Sequence, residues 1–146
     1  MGGYTAAVLT VSDRCSAGTA VDTSGPCVAD MLRAAIVPDE QERIRAALLH
    51  CCDALHADLV VTTGGTGLSP RDVTPEATRA VLDREIPAIP QAMLYASLQI
   101  TPHAMLSRAV AGTRGGTLLV NLPGSEKAAR EKLSAVLPAL GHGLKM

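Results

Sequence analysis

The chain has 146 residues, 47% of them hydrophobic and 18% charged, with a formal net charge of -1; that is one domain's worth, with room for a substantial core. It has no Lys/Arg block, no Phe and no Trp, and its two tyrosines are Tyr4 and Tyr95, so it offers neither a basic surface nor a stacking platform for nucleic acid. No apolar run approaches the roughly 20 residues of a membrane span, and Met1 to Val11 lacks the basic start and apolar stretch of a secretory signal.

In chain order, Thr5 to Val11 reads as a first strand, apolar enough for a sheet covered on both faces. A polar loop from Ser12 to about Gly25 follows. Pro26 then opens a predicted helix whose Val28, Met31, Leu32 and Ala35 share one face and which runs to Ile36. Asp39 and Glu42 have the spacing of a capping box, ahead of a helix with Ile44, Ala47, Leu48, Cys51 and Leu55 on one stripe. Leu59 to Thr63 is a buried strand, and a helix starts near Pro75. From Pro87 to Ser107 the pattern is helical but interrupted by Pro90 and Pro102, which predicts short helices. Thr117 to Leu122 is another buried strand. Ser125 caps a last helix carrying Ala128, Ala129, Leu133, Val136 and Leu137. This alternation predicts an α/β fold of three layers (α/β/α) around a mostly parallel, Rossmann-like sheet, with residues 1–146 forming one domain.

The four cysteines, Cys15, Cys27, Cys51 and Cys52, have neither Cys-x-x-Cys spacing nor a histidine at zinc-like spacing. Cys51 and Cys52, in a predicted helix, read as small buried side chains in a reducing cytosol. Cys15 lies in the first loop with nothing nearby to lower its pKa. No disulfide or structural zinc is predicted. His50, His56, His103 and His142 are scattered, without acidic or cysteine partners at ligand-like spacing, and read as surface or helix residues and not as catalysts.

The most informative stretch is Thr62-Thr63-Gly64-Gly65-Thr66-Gly67, followed by Ser69-Pro70-Arg71-Asp72-Val73-Thr74-Pro75-Glu76. Glycines there allow φ > 0 and close approach of a ligand. Thr74 is placed to cap the next helix and Pro75 to begin it. Strand, glycine loop and helix N-terminus in that order make an anion site at the carboxyl edge of a parallel sheet. Asp72, inside the loop, could hold a hard cation beside a phosphate. The plainer reading is a connecting turn. Two further loops follow strands to the same edge: Ser12-Asp13-Arg14 through Asp22-Thr23-Ser24-Gly25-Pro26, and Asn121-Leu122-Pro123-Gly124-Ser125. Ser24 and Ser125 are each an ordinary helix cap or a phosphate contact, and the two geometries coincide.

Ser12-Asp13, Ser24-Gly25-Pro26, Val37-Pro38-Asp39-Glu40, Thr62 to Ala77, Leu106 to Gly112 and Asn121 to Ser125 together resemble the molybdenum-cofactor biosynthesis proteins. The resemblance is to the MogA-type molybdopterin adenylyltransferases and the G domain of gephyrin, and it covers nearly the whole chain. It implies transfer of AMP from ATP to the terminal phosphate of molybdopterin, release of pyrophosphate, and Mg2+ as cofactor. It implies catalytic roles for Asp72, as metal ligand, and Asp39. Substrate and nucleotide contacts would come from Ser12, Asp13, Ser24, Gly25, Thr63, Gly64, Gly65, Thr66, Gly67, Arg71, Pro123, Gly124 and Ser125. A cytoplasmic homotrimer or hexamer is implied, with Val110, Ala111 and the Met93-Leu94 segment as interface or as core, and with other cofactor-synthesis proteins as partners. An inactive pterin-binding relative, or a MoaB- or CinA-like one with another substrate, is the alternative. The chain departs from the family in one place. The family's second strand precedes the Pro-Asp-Glu segment, whereas here the helical pattern runs through Ile36 almost directly into it. A strand shortened or lost there would displace Asp39.

Overall fold

The first strand, β1, covers Ala6–Val11 and lies inside the sheet, one strand from its edge, as its apolar run demands. The computed structural model of the chain describes residues 6–12 and 33–144. The predicted helix from Pro26 lies outside them up to Leu32, but its last part is corrected. Arg33–Val37 is a strand, β2, paired parallel with β1 from Ala7↔Arg33 to Val11↔Val37. Two alanines made the segment look helical. The β-branched pair Ile36-Val37 favours extended backbone, and the proline that follows pushes Val37 out of the α region. The strand that the sequence pattern left out is therefore present, and Asp39 sits just beyond its carboxyl end.

Helix α1 spans Gln41–Leu49 and continues as a wide π turn over His50–Ala54. Asp39 and Glu42 do not stand at the two capping-box positions, because the helix begins one residue later than expected. Glu40 is the N-cap and makes no side-chain cap bond. The π turn, marked by the Leu55 N–H donating to the His50 carbonyl at 2.9 Å, turns the following residues relative to the α-helical stripe. Cys51 and Cys52 both come to lie inside, while Leu55, expected in the stripe, is 59% exposed.

Strand β3 is Leu59–Thr63 and helix α2 is Thr74–Val81. A two-residue strand β4, Arg84–Glu85, leads to helix α3, Ala88–Leu98. Pro90 does not interrupt α3, because it occupies the first turn, where its missing N–H would have had no helical partner. A short 3-10 turn, Pro102–Leu106, follows. Strand β5 is Ala111–Arg114, β6 is Thr117–Leu122 and α4 is Glu126–Gly143. Neither β4 nor β5 was expected. β5 is small and polar, and β4 has only two residues, so neither carries an apolar period.

The sheet order is β2-β1-β3-β6-β5-β4. The first four strands are parallel; β5 and β4 run antiparallel at one edge. Leu59, Val61, Leu118, Val120 and Leu122 face Met93 of α3 and Ala129, Leu133, Val136 and Leu140 of α4. Val60 and Leu119 face the other way, onto Ile44 and Leu48 of α1 and Ala77 and Val81 of α2. The three-layer α/β architecture with a mostly parallel sheet is as the sequence predicts. Val110, Ala111 and Met93 are buried within the chain, which places them in its core. Leu137 is partly exposed and Leu94 half-buried. No helix among the described residues is long and apolar enough to cross a membrane.

Lys132 of α4 is 4% exposed, and burial lowers its pKa from 10.5. A charged form that burial penalises lowers stability wherever it persists. Lys132→Met should raise the unfolding free energy at neutral pH by about 1 kcal/mol. The sign with pH follows from linkage: between the folded-state pKa and the ordinary one, the unfolded chain binds more protons, so this lysine makes stability rise with pH. Urea denaturation of both proteins between pH 7 and 10.5 should show the advantage of the variant shrinking as pH rises. A constant difference would mean the ammonium is not desolvated.

Candidate functional site

The parallel strands β1, β3 and β6 bring their carboxyl ends to one edge, and the described backbone there is drawn tightly together. The Gly64 N–H donates to the Leu122 carbonyl, and the Ser12 N–H to the Val37 carbonyl, each at 3.0 Å. Gly64 has φ +91. A side chain on it would run into the carbonyl oxygen of Val11, and would lie 4.0 Å from the Cα of Gly124. Only glycine allows this junction. The ends of β1, β3 and β6 thus meet at Gly64.

Gly65, with φ +71, packs against the side chains of Thr74 and Asp39. A methyl group there would come within 3.2 Å of Asp39 Oδ1, and one on Gly67 within 2.9 Å of Asp72 Oδ2. Both acids predicted from the sequence therefore lie against the glycine loop, two residues apart along it. The register of β2 accounts for Asp39, since the strand ends at Val37 beside Val11. Asp72 is held by a reciprocal turn. Its Oδ2 accepts from the Ser69 N–H at 2.9 Å, and its own N–H donates to the Ser69 carbonyl at 2.9 Å.

Thr74 is not the N-cap of α2; Val73 is, with no side-chain cap bond. The Thr74 hydroxyl donates instead to the Gly64 carbonyl at 3.0 Å, and its N–H to the Gly65 carbonyl at 3.1 Å. Helix start and glycine loop are tied directly. Pro75 occupies the first turn as expected. Ser125 is the N-cap of α4, its Oγ accepting from the Ala128 N–H at 3.4 Å. Pro123 is half-buried, and Gly124 and Ser125 are exposed. Thr66 is buried, and so is Thr63, whose hydroxyl is 3.4 Å from that of Thr10. Arg71 is exposed and Ser12 half-buried. Asp13, Ser24 and Gly25 lie outside the described residues, as do Pro26, Cys15 and Cys27. The four histidines are exposed.

Sequence reasoning missed the cation that organises this loop. Arg108 donates from Nε to the Gly67 carbonyl at 2.8 Å and from Nη2 to the Asp72 carbonyl at 2.6 Å. Its guanidinium also bonds both oxygens of Glu76, at 2.6 and 3.3 Å. Its backbone N–H donates to the Thr66 carbonyl at 2.9 Å. The bond from Arg108 is the main cause that holds the Glu76 carboxyl below its ordinary pKa. Both residues stood inside segments already singled out, Glu76 in the glycine string and Arg108 in Leu106 to Gly112, but a pairing across 32 residues has no local signal. A second network lies beneath. Buried Asn121 accepts from the Val110 N–H at 3.1 Å and donates to the hydroxyls of Thr62 and Thr78 at 2.9 and 3.1 Å.

Such an edge can receive a polyphosphate. Backbone N–H groups and a helix N-terminus attract the anion. Two carboxylates supply hard oxygen donors of the kind that bind a divalent cation together with phosphate.

Residues 7–142 match the family described as "Probable molybdopterin binding domain". Over 155 aligned residues the chain is 46% identical to gephyrin of Dictyostelium discoideum, covering 94% of this chain and 21% of that protein. It is 43% identical to a molybdopterin adenylyltransferase of Helicobacter pylori, over 92% of this chain and 82% of the other. Among solved structures, the molybdopterin biosynthesis enzyme MoaB from Thermus thermophilus superposes with a TM-score of 0.92 at 46% identity, covering 98% of this chain and 95% of that one.

Proposed function

We propose that this chain, which belongs to the molybdopterin-binding domain family, is a molybdopterin adenylyltransferase. It transfers AMP from ATP to the terminal phosphate of molybdopterin. The observation that carries this reading is the convergence at Gly64: three strand ends, a glycine loop and two carboxylates share one edge. The similarity to a molybdopterin adenylyltransferase over most of both chains supports it. The chain spans about a fifth of the gephyrin it resembles, so the transfer activity proposed is that of this one molybdopterin-binding domain.

In the reaction, an oxygen of the molybdopterin phosphate bonds to the α-phosphorus of ATP. The bond from that phosphorus to the β-phosphate oxygen breaks, and pyrophosphate leaves. The nucleophile is already an anion, so no residue has to remove a proton; the barrier lies in bringing like charges together and aligning them. The glycine loop from Gly64 to Gly67, with Thr63 behind it, brings backbone N–H groups to the nucleotide or pterin. Ser24 with Gly25, and Ser125 with Pro123 and Gly124, grip the terminal phosphate, with Ser12 and Asp13 toward the pterin and Arg71 toward phosphate charge. The carboxylates against Gly65 and Gly67 suit Mg2+, an ion commonly held by one or two carboxylates plus substrate phosphates. Asp72 and Asp39 would hold it, and the ion would neutralise polyphosphate charge.

In the same reading the enzyme works in the cytoplasm as a homotrimer, receiving molybdopterin from one cofactor-synthesis protein and passing adenylated product to another. The large apolar side chains of Tyr95, Leu98, Ile100, Met105 and Leu106, each at least 39% exposed in and around α3 and the neighbouring 3-10 turn, support self-association.

The experiment is an adenylylation assay with purified chain, molybdopterin, ATP and Mg2+, detecting adenylated molybdopterin directly. Product formed with stoichiometric pyrophosphate supports the transferase. Tight pterin binding by a folded chain without any product would make it an inactive pterin-binding relative.

A further inference from the structure

Arg108 does more at this edge than close an ion pair. Its side chain and that of Glu76 are 33% and 40% exposed, and a pair so wet contributes little to stability. The other bonds are directional. Arg108 draws three carbonyls to one side of the loop: Thr66 to its backbone N–H, and Gly67 and Asp72 to its guanidinium. No peptide among the described residues is cis, and in a trans peptide the N–H points opposite to the carbonyl before it. The N–H groups of Gly67 and Leu68 are therefore turned away from Arg108. Without the guanidinium, the Gly67–Leu68 peptide could flip and present its carbonyl oxygen to an anion, while the backbone N–H at position 108 would still hold the Thr66 carbonyl.

The same fork acts on Asp72 from behind. The Ser69 N–H fixes the carboxylate through Oδ2, while Arg108 fixes the backbone that carries it through the Asp72 carbonyl. Glu76, in the first turn of α2, anchors the guanidinium to the helix. The link extends to β6, since Val110, two residues on, gives its N–H to Asn121.

We propose that Arg108, anchored by Glu76, is a positioning residue for adenylyl transfer, setting the glycine loop so that its amides face the phosphates and its Asp72 carboxylate stays in place. The proposal rests on the transferase reading above. A lysine would keep the charge but lack the planar fork needed to serve Gly67, Asp72 and Glu76 together.

The test compares wild type with Arg108→Lys, Arg108→Ala and Glu76→Gln by thermal unfolding, by kcat and KM, and by amide hydrogen exchange over residues 64–72 with and without Mg·ATP. Arg108→Lys should unfold within a few degrees of wild type yet lose roughly tenfold or more in kcat, with KM for ATP changed less than about threefold. Exchange at residues 66–72 should quicken, and its protection by Mg·ATP should fall. Glu76→Gln, which keeps an acceptor, should show the same pattern more weakly. Should Arg108→Ala fold, ethylguanidinium in the buffer should restore part of its kcat. A kcat per folded molecule within about threefold of wild type, with unchanged exchange, would overturn the proposal and leave Arg108 a surface strut. A wild-type chain without turnover would fail the transferase reading instead. The exchange arm would still decide whether Arg108 orders the loop toward Mg·ATP, because unchanged protection in Arg108→Lys counts against it.

Discussion

Asp72→Asn should lower kcat roughly a hundredfold, the scale of losing one electrostatic group in a preorganised site, while molybdopterin affinity changes little. The asymmetry follows from how the carboxylate is held. One oxygen, Oδ2, already accepts from the Ser69 N–H, and the amide oxygen of asparagine can take over that bond. The turn and the loop then survive. The second position becomes an NH2 group, which cannot ligate a cation. Steady-state kinetics beside equilibrium pterin binding separates the two effects. Equal loss of both would point to a collapsed pocket or to a protein that only binds.

Asn121→Leu should cost about 3 kcal/mol or more of folding stability, read as a shift in urea midpoint at unchanged slope. Leucine is similar in size, so the loss would not come from a cavity. The buried Val110 N–H would lose its acceptor, and the hydroxyls of Thr62 and Thr78 would lose the amide that bridges β3 to α2. Each buried polar group left unmatched costs about 1–3 kcal/mol. A change under about 1 kcal/mol would show that water replaces the amide. Asn121 heads a segment that the sequence marked as part of the pocket. Its side chain nevertheless faces inward, as a structural bridge beneath the loops.

The sequence is legible where one residue type serves one local purpose. The apolar runs of β1, β3 and β6, the cap at Ser125 and the glycine loop can be read directly, because burial, capping and positive φ each demand particular residues. The segment at β2 is not legible in the same way. Arg33-Ala34-Ala35 suits a helix, and the open edge of β1 decides otherwise. The capping oxygen assigned to Thr74 fails for a related reason: its hydroxyl has a better acceptor in the Gly64 carbonyl. Asp72 draws notice in the sequence because it stands within the loop it packs against. Arg108 serves that same loop from across the fold, and only the folded chain brings it there.

The π turn after α1 carries a last consequence. Because it turns two neighbouring residues inward together, Cys51 and Cys52 are 9% and 6% exposed, and burial raises the pKa of each. A thiol reacts with an alkylating reagent as thiolate and only when reached. Both must therefore wait for the layer formed by α1 to lift from the sheet. One peptide carries both labels, so the delay before they react is a stopwatch for opening of that layer. Its dependence on denaturant distinguishes a local detachment from unfolding of the whole chain.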